Sequence, residues 1–370
     1  MSPSHRTRIT QSLRAWHLLP SVSTHRRVVD SFEDVPEARI VPSPIASRSP
    51  RFVEAKTVQP EPFRYFDELV NHPIPSREMR VVITPNARLV GDGGAVVTSD
   101  GALVRETLWD DEQYRRDFAK PDKIPPAEIV TGRAASLLST WNSNYYHFLV
   151  DALPRLAVLD TIELDDSVRF VVPESLVPWQ RQMLQRLDIP DHRLVACRGE
   201  HVQVEELVWA SAPAHVGFVT PFVVEWLQRR LGRGEPVSSE RRLYISRRGS
   251  RELENEADVL KVLGHHGFEA VRPELLSFGE QARLFSEARY VVGAHGAGLA
   301  NAVFAKRLTL LELFQPGFFN PPYFTMAGAA DWEYWYLVCG SSDGRGSTKA
   351  KQLRVPIDEL DRTLVEMLRS

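Results

Sequence analysis

The chain of 370 residues has an ordinary globular composition, 43% hydrophobic and 25% charged, and its length predicts two domains. A formal net charge of −3 argues against a nucleic-acid-binding protein that relies on a general basic surface. The two cysteines, Cys197 and Cys339, lie far apart and form no metal-binding motif, which favours a reducing cytoplasm. No apolar run has the length of a membrane span.

The N-terminal segment, residues 1–62, is rich in Pro, Ser and Arg and has little periodicity, so we expect extended or irregular structure there. Its beginning lacks the apolar core of a signal peptide, and we expect a cytoplasmic protein. Basic residues near Trp16, Leu18 and Leu19 allow peripheral contact with an anionic membrane surface, as an alternative to a partly ordered tail.

A small β-meander is predicted near the N-terminus, where short apolar runs in residues 79–106 are separated by Gly-Asp-Gly-Gly and Ser-Asp-Gly turn signals. The apolar repeat of WNSNYYHFLVDALPRLAVL, residues 141–159, then predicts an amphipathic helix. Strand-like and helical stretches alternate up to GRGEPVSSE, residues 232–240, the best candidate for a linker. We therefore expect an N-terminal α/β domain over residues 63–232.

The remaining residues, 233–370, alternate strand and helix patterns, which predicts a parallel sheet with right-handed crossovers. The strand-like stretches are LYIS, FEAV, RYVVG and LTLLELF. Ser277 and Glu280 have the spacing of a capping box at the start of one helix. Ligands of such sheets collect at the carboxyl ends of the strands, where the site is expected.

Polar and small residues follow three of these strands. Arg247 and Arg248 follow LYIS, the turn GAHGAG follows RYVV, and Glu312 follows LTLL. Two guanidiniums beside a helix N-terminus can bind a diphosphate, and a nearby carboxylate can accept hydrogen bonds from ribose hydroxyls. The pattern predicts a nucleotide-diphosphate site. The alternative is a tight βα turn whose glycines relieve crowding, beside solvated arginines.

His147 and Asp151 are four residues apart, hence on one face of the predicted helix, and Asn144 can share that face. A carboxylate beside an imidazole fixes its tautomer and raises its basicity, as a general base requires. A surface His–Asp pair or a satisfied core histidine is the alternative. A zinc site is disfavoured, because no third ligand stands at a recognisable spacing.

The sequence has no Asp-x-Asp motif for a divalent cation. We therefore expect no obligatory metal, with the charge of a leaving diphosphate neutralised by Arg247, Arg248, His295 and the backbone N–H groups of the turn. Phe319 and Tyr323, in the aromatic stretch after Glu312, are candidates for a platform under a sugar or a nucleobase, with core packing as the alternative.

Four motifs in this order resemble glycosyltransferase family 61, the DUF563 proteins, which include bacterial capsular-polysaccharide biosynthesis proteins. They are NYYHFLVDALPRL, YISRRGSRELENEADV, PELLSFGEQARLFSEARYVVGAHGAGLANAVF and LLELF, and the resemblance runs from about Val81 to Gly340. It implies an α/β, GT-B-like fold in which two Rossmann-like domains face a cleft and the C-terminal domain holds most of the nucleotide-sugar donor.

The resemblance further implies an inverting, metal-independent hexosyl- or pentosyltransferase that moves a sugar, from a UDP-sugar by preference, to a glycan acceptor of a bacterial surface polysaccharide, without a cofactor. His147 would take the proton and Asp151 would orient it, or Asp151 would act directly. The residues that would frame the donor are Arg247, Asn255, Glu256, His295, Gly296, Ala297, Gly298 and Glu312.

Two other interpretations stay open. One is a catalytically inactive nucleotide- or glycan-binding protein, and the other is a different GT-B-like sugar-nucleotide enzyme. A dinucleotide oxidoreductase is disfavoured, because no candidate strand is followed by Gly-x-Gly-x-x-Gly.

Overall fold

A computed structural model divides the chain into two compact units. Unit 1 is formed by Met1–Ala46 and Glu78–Ala212, and unit 2 by Ser47–Arg77 and Pro213–Ser370. The structure describes residues 22–46, 49–60, 64–71, 78–110, 113–119, 122–124, 126–232, 240–249, 251–315, 319–341 and 352–369.

The described residues form strands and helices in both units. In chain order the strands are β1 Val22–Ser23, β2 Arg27–Val29, β3 Arg39–Pro42, β4 Ala55–Lys56, β5 Arg80–Val90, β6 Ala95–Val97, β7 Ala102–Val104, β8 Lys123–Ile124, β9 Glu128–Ser136, β10 Arg169–Pro173, β11 Leu194–Cys197, β12 His201–Ala210, β13 Arg241–Ile245, β14 Glu252–Leu253, β15 Glu269–Val271, β16 Ala288–Ala294, β17 Thr309–Phe314, β18 Glu333–Val338, β19 Gly340–Ser341 and β20 Gln352–Arg354.

The α-helices are Arg64–Asn71, Arg155–Leu159, Pro178–Arg186, Pro221–Leu231, Glu256–His265, Phe278–Ser286, Pro322–Ala330 and Ile357–Arg369. Tyr114–Phe118 and His147–Ala152 are π-helical. The 3₁₀ helices are Phe32–Asp34, Arg105–Thr107, Asp191–Arg193, Arg198–Glu200, Pro273–Leu275 and Ala297–Phe304. The mixture confirms the α/β class.

Unit 1 is built on a nine-stranded sheet in the order β11-β10-β9-β12-β5-β6-β7-β2, with β3 paired to β5. β9 to β12 are parallel where they pair with each other, and β5 joins them antiparallel to β12. β5, β6 and β7 pair antiparallel in succession, so the predicted β-meander is present. Buried apolar side chains such as Val130, Val171 and Leu207 fill its core.

The N-terminal segment is more ordered than predicted. β2 pairs with β7 and β3 with β5 in unit 1, whereas β4 pairs with β18 in unit 2. The sequence analysis allowed extended structure in residues 1–62 but not the pairing of these strands with two sheets, and residues 1–21 lie outside the described part. Strands of two to four residues are too short to show a hydrophobic period in the sequence. They form because they pair with longer or neighbouring strands of a sheet.

The boundary between the units differs from the predicted one at residues 232 and 233. Helix Pro221–Leu231 lies in unit 2, where the Gln228 amide donates to the carbonyl oxygens of Val303 at 2.9 Å and Ala305 at 3.1 Å. Composition marks Gly232 to Glu240 as a linker, yet the side-chain contacts of the preceding helix decide the unit to which it belongs.

Unit 2 contains the predicted parallel sheet. Its order is β15-β13-β16-β17-β18-β4, and every pair in it is parallel. Counting β13, β15, β16, β17 and β18 as strands 1 to 5 gives the doubly wound order 2-1-3-4-5. The order reverses between β13 and β16, and the crevice outside their carboxyl ends is where such sheets bind ligands.

Candidate functional site

Arg247 and the glycine turn meet at this switch point in unit 2. Ile245, near the end of β13, pairs with Gly293 of β16, and both chains leave the sheet side by side. The Arg247 guanidinium donates to the carbonyl oxygen of His295 at 3.2 Å. The turn and the first arginine, which the sequence placed at one edge of the sheet, are therefore in contact.

The glycines of the turn permit close packing. A Cβ at Gly296 would lie 1.4 Å from the Arg247 Nη1, so only glycine lets the guanidinium rest there. A Cβ at Gly298 would lie 3.3 Å from Ile245 Cγ2. Ala297 follows directly and begins the 3₁₀ helix Ala297–Phe304, and the first N–H groups of a helix lack partners within the helix. The turn relieves crowding and also positions a cation.

His295 is held by a buried carboxylate. Its Nδ1 lies 2.5 Å from Glu312 Oε1, and the Tyr334 hydroxyl donates to Glu312 Oε2 at 2.6 Å. Glu312 has no exposed surface and both of its carboxylate oxygens are bonded within the protein, and its predicted role of accepting ribose hydroxyls stays a prediction. The Glu312 carboxylate orients the His295 imidazole. The imidazole stacks on Phe314 with ring centroids 5.7 Å apart.

In unit 1, His147 and Asp151 form the predicted pair. His147 Nδ1 lies 2.7 Å from Asp151 Oδ2, and the side chains are 16% and 5% exposed. The pair occupies the π-helical turn His147–Ala152, a local irregularity that is frequent at functional sites. Burial raises the pKa of the Asp151 carboxyl, while His147 and the charge of Arg155 oppose that rise.

Asn144 is exposed and stands at the start of this turn. Its side-chain oxygen accepts a hydrogen bond from the Tyr146 N–H at 2.9 Å, and its carbonyl oxygen accepts from the Phe148 N–H at 3.1 Å. These bonds shape the chain before His147. The predicted acceptor role of Asn144 stays a prediction.

The His147–Asp151 pair of unit 1 and the glycine turn of unit 2 both fall in one region of sequence similarity. Residues 145–311 match the family model described as Glycosyltransferase 61. The predicted family resemblance is confirmed. No curated protein matches the chain. The match supports a glycosyltransferase activity, and this family 61 segment contains His147, Asp151, Arg247 and the whole glycine turn.

Within the family 61 segment, three predicted donor residues are bonded to other parts of unit 2. Arg248 is exposed and forms ion pairs with Glu252 and Glu256. Glu256 is buried and also accepts from the Ser246 hydroxyl at 2.7 Å. Burial would raise the pKa of Glu256, but its hydrogen bonds, with Ser246 first, lower it. The two residues neutralise each other, which fits a structural role.

Asn255 also has a structural explanation. Its amide donates to the Val355 carbonyl oxygen at 2.9 Å, and its side-chain oxygen accepts from the Val355 N–H at 3.0 Å. This bidentate pair joins the start of helix Glu256–His265 to the chain after β20. The sequence could not show it, because the partner is 100 residues away.

The two aromatic candidates differ in burial. Tyr323 is 1% exposed, and its hydroxyl donates to the Gly296 carbonyl oxygen at 2.6 Å. These contacts fit the alternative of core packing that supports the turn, and the platform role of Tyr323 stays a prediction. Phe319 is partly exposed and contacts Phe314 with centroids 5.2 Å apart, and its platform role stays a prediction.

Arg251 is a cation that the sequence analysis missed. Burial, followed by the nearby charge of Arg247, lowers the pKa of Arg251 to about 10. Tyr323 and Glu312 act on it electrostatically as well, so it lies in the same surroundings as the glycine turn. The sequence feature that could have indicated Arg251 is its position in RRGSR, four residues after Arg247.

Neither a cluster of metal ligands nor a membrane-spanning helix is found among the described residues. Among the residues that the structure describes, no group of three or more His, Cys, Asp or Glu side chains is arranged to hold a metal ion. In the same residues, no helix combines the length and the apolar character needed to cross a membrane.

Proposed function

We propose that this protein transfers a sugar from a nucleotide-sugar donor, a UDP-sugar by preference, to a hydroxyl of a glycan acceptor. The observation that carries the proposal is the contact of Arg247 with the glycine turn at the switch point, inside the family 61 segment. Anionic diphosphates are the ligands that guanidiniums and helix N-termini favour.

The donor half of the proposal rests on charge. Arg247 and Arg251 are partly buried, and burial lowers the pKa of both guanidiniums. Two neighbouring buried cations repel each other, and a bound diphosphate would offset that repulsion. N–H groups at the start of helix Ala297–Phe304 supply neutral donors beside them. Together they would stabilise the leaving nucleoside diphosphate without an obligatory metal.

The acceptor half rests on the His147–Asp151 pair. With Asp151 ionised and bonded to Nδ1–H, the Nε2 of a neutral imidazole is the proton acceptor. The acceptor hydroxyl would give its proton to Nε2 while its oxygen bonds to the anomeric carbon. The bond from that carbon to the diphosphate oxygen breaks in the same step, and the diphosphate leaves with the electron pair. Direct displacement of this kind inverts the anomeric centre.

The GT-B-like arrangement of two Rossmann-like domains around a cleft, predicted from the sequence, stays part of the proposal. So do a role in bacterial capsular or surface polysaccharide synthesis and a cytoplasmic or membrane-peripheral location. The alternative is a nucleotide- or glycan-binding protein without turnover.

Replacement of the base separates these two functions. Purified wild type, His147→Ala and His192→Ala would be incubated with UDP-, GDP- and dTDP-sugars and a mixture of oligosaccharides, and the released nucleoside diphosphate would be measured. We expect His147→Ala to lower kcat by about 100-fold or more, because a general base contributes that much. The control His192 is exposed and lies in the same unit.

Nucleotide binding to His147→Ala should persist, because the donor half lies in unit 2. If His147→Ala released nucleoside diphosphate at the wild-type rate, or if none of the three proteins released it, a transferase that uses this base would be contradicted.

A further inference from the structure

Two tryptophans of unit 1 stand beside the His147 imidazole. The Trp141 ring centroid lies 4.8 Å from that of His147, with an interplanar angle of 53°. The Trp109 centroid lies 3.7 Å from that of Trp141, with an interplanar angle of 74°. Both indoles are partly exposed. The two indoles meet edge to face, so Trp141 lies next to the proposed base and Trp109 packs against Trp141.

The backbone of Trp141 adopts a conformation that bulky residues avoid. Its φ is 61°, in the left-handed region. Neighbouring bonds hold it there: the Asn144 N–H donates to the Trp141 carbonyl oxygen at 2.8 Å, and the Asn142 side chain bridges the Ser139 N–H and the Asp92 carbonyl oxygen, each at 3.1 Å. A strained backbone conformation that the surrounding hydrogen bonds fix in place is typical of binding sites.

A buried glutamine links the two tryptophan segments. Gln113 is 3% exposed, and its side-chain oxygen accepts a hydrogen bond from the backbone N–H of Trp109 at 2.6 Å. The same oxygen accepts from the Thr140 hydroxyl at 3.5 Å, one residue before Trp141. Gln113 therefore links the backbone of Trp109 to the residue before Trp141 through one short and one long hydrogen bond, both partly buried.

We propose that Trp141, backed by Trp109, is the stacking surface for the acceptor sugar whose hydroxyl His147 deprotonates. This inference rests on the proposed function and adds the chemistry of its acceptor, a neutral pyranose with an apolar face. A hydroxyl in hydrogen-bond reach of the imidazole, about 2.6–3.2 Å, places its own ring beside the adjacent indole. Aromatic faces bind the C–H face of a sugar while its hydroxyls remain available for hydrogen bonds.

The test uses Trp141→Gly, because glycine adopts the left-handed conformation without strain. Trp179→Phe is the matched control: Trp179 is a partly exposed tryptophan of the same unit, packed on Tyr145 and Phe148. Saturation-transfer NMR would measure binding of methyl α- and β-pyranosides of glucose, galactose and mannose, and melting curves would report folding.

We expect at least one methyl glycoside to bind wild type and Trp179→Phe, and to bind Trp141→Gly about tenfold more weakly or worse. Melting curves should show that Trp141→Gly is folded at the temperature of the binding measurement, so that lost binding reports the indole and not unfolding. Glycoside binding unchanged in Trp141→Gly, or no glycoside binding to the wild type, would overturn the inference.

UDP binding measured on the same samples keeps the two proposals apart. If UDP binds but no glycoside does, the acceptor surface is refuted and the donor site stands. If a glycoside binds through Trp141 but no nucleotide sugar binds, the surface is supported and the transferase proposal fails.

Discussion

Asp151 is an acid buried beside the proposed base, and its burial determines a pH dependence of stability. Burial raises the pKa of its carboxyl in the folded protein. An unfolded aspartate titrates near pH 3.9, so the folded state binds this proton more tightly above that pH. The stabilisation is complete below about pH 3.9 and is lost as the pH rises through the folded pKa.

Asp151→Asn should therefore gain stability relative to the wild type as the pH rises from about 4 to 7, because asparagine cannot ionise in the buried site. Urea unfolding at several pH values measures the difference in the free energy of unfolding. Asp191→Asn, at an exposed carboxylate paired with Arg181, is the control. If Asp151→Asn instead lost stability relative to the wild type as the pH rises, the raised pKa of Asp151 would be contradicted.

At the residue scale, the sequence predicted local pairs and missed distant ones. The four-residue spacing of His147 and Asp151 predicted their contact, because one helical face brings such residues together. Glu312 was predicted at a ribose, yet it is bonded to Tyr334, 22 residues further along the chain. Such partners depend on strand order, which the sequence does not display.

The glycine turn is the element on which the donor site depends. Gly296→Ala would place a Cβ 1.4 Å from the Arg247 Nη1, so the guanidinium must leave its position on the turn. We expect the affinity for UDP to fall at least about tenfold, the value of one charge-assisted hydrogen bond.

Gly264→Ala is the matched control for that substitution. Gly264 lies in helix Glu256–His265, and a Cβ added there meets nothing within 4 Å. Calorimetric titration with UDP should find this variant equal to the wild type. Equal affinity for Gly296→Ala as well would show that UDP does not depend on the Arg247 contact.

At the element scale, regular alternation predicted the parallel sheet of unit 2 and the capping box of Ser277 and Glu280, both of which are present. The π-helical turn at His147 was predicted as an ordinary helix, because periodicity over six residues cannot separate the two. Edge strands such as β2 and β4 escaped prediction, since they are too short to show a pattern.

The whole molecule consists of two units whose sequences are interleaved. Residues 47–77 belong to unit 2 although residues on both sides of them belong to unit 1, and β4 extends the parallel sheet of unit 2. The predicted domains are each continuous in sequence, and composition does not mark where the chain passes from one unit to the other. Only three-dimensional contacts assign residues 47–77 to unit 2.

The central claim is that unit 2 binds a nucleoside diphosphate through Arg247 at the switch point. The most direct measurement is calorimetric titration of UDP and GDP into wild type, Arg247→Ala and Arg248→Ala, with and without EDTA. Arg248 is the matched control, because it is exposed and paired with Glu252 and Glu256. We predict binding of one nucleotide that survives EDTA, persists in Arg248→Ala and falls about tenfold or more in Arg247→Ala. Undiminished binding by Arg247→Ala, or no binding by the wild type, would contradict the donor site.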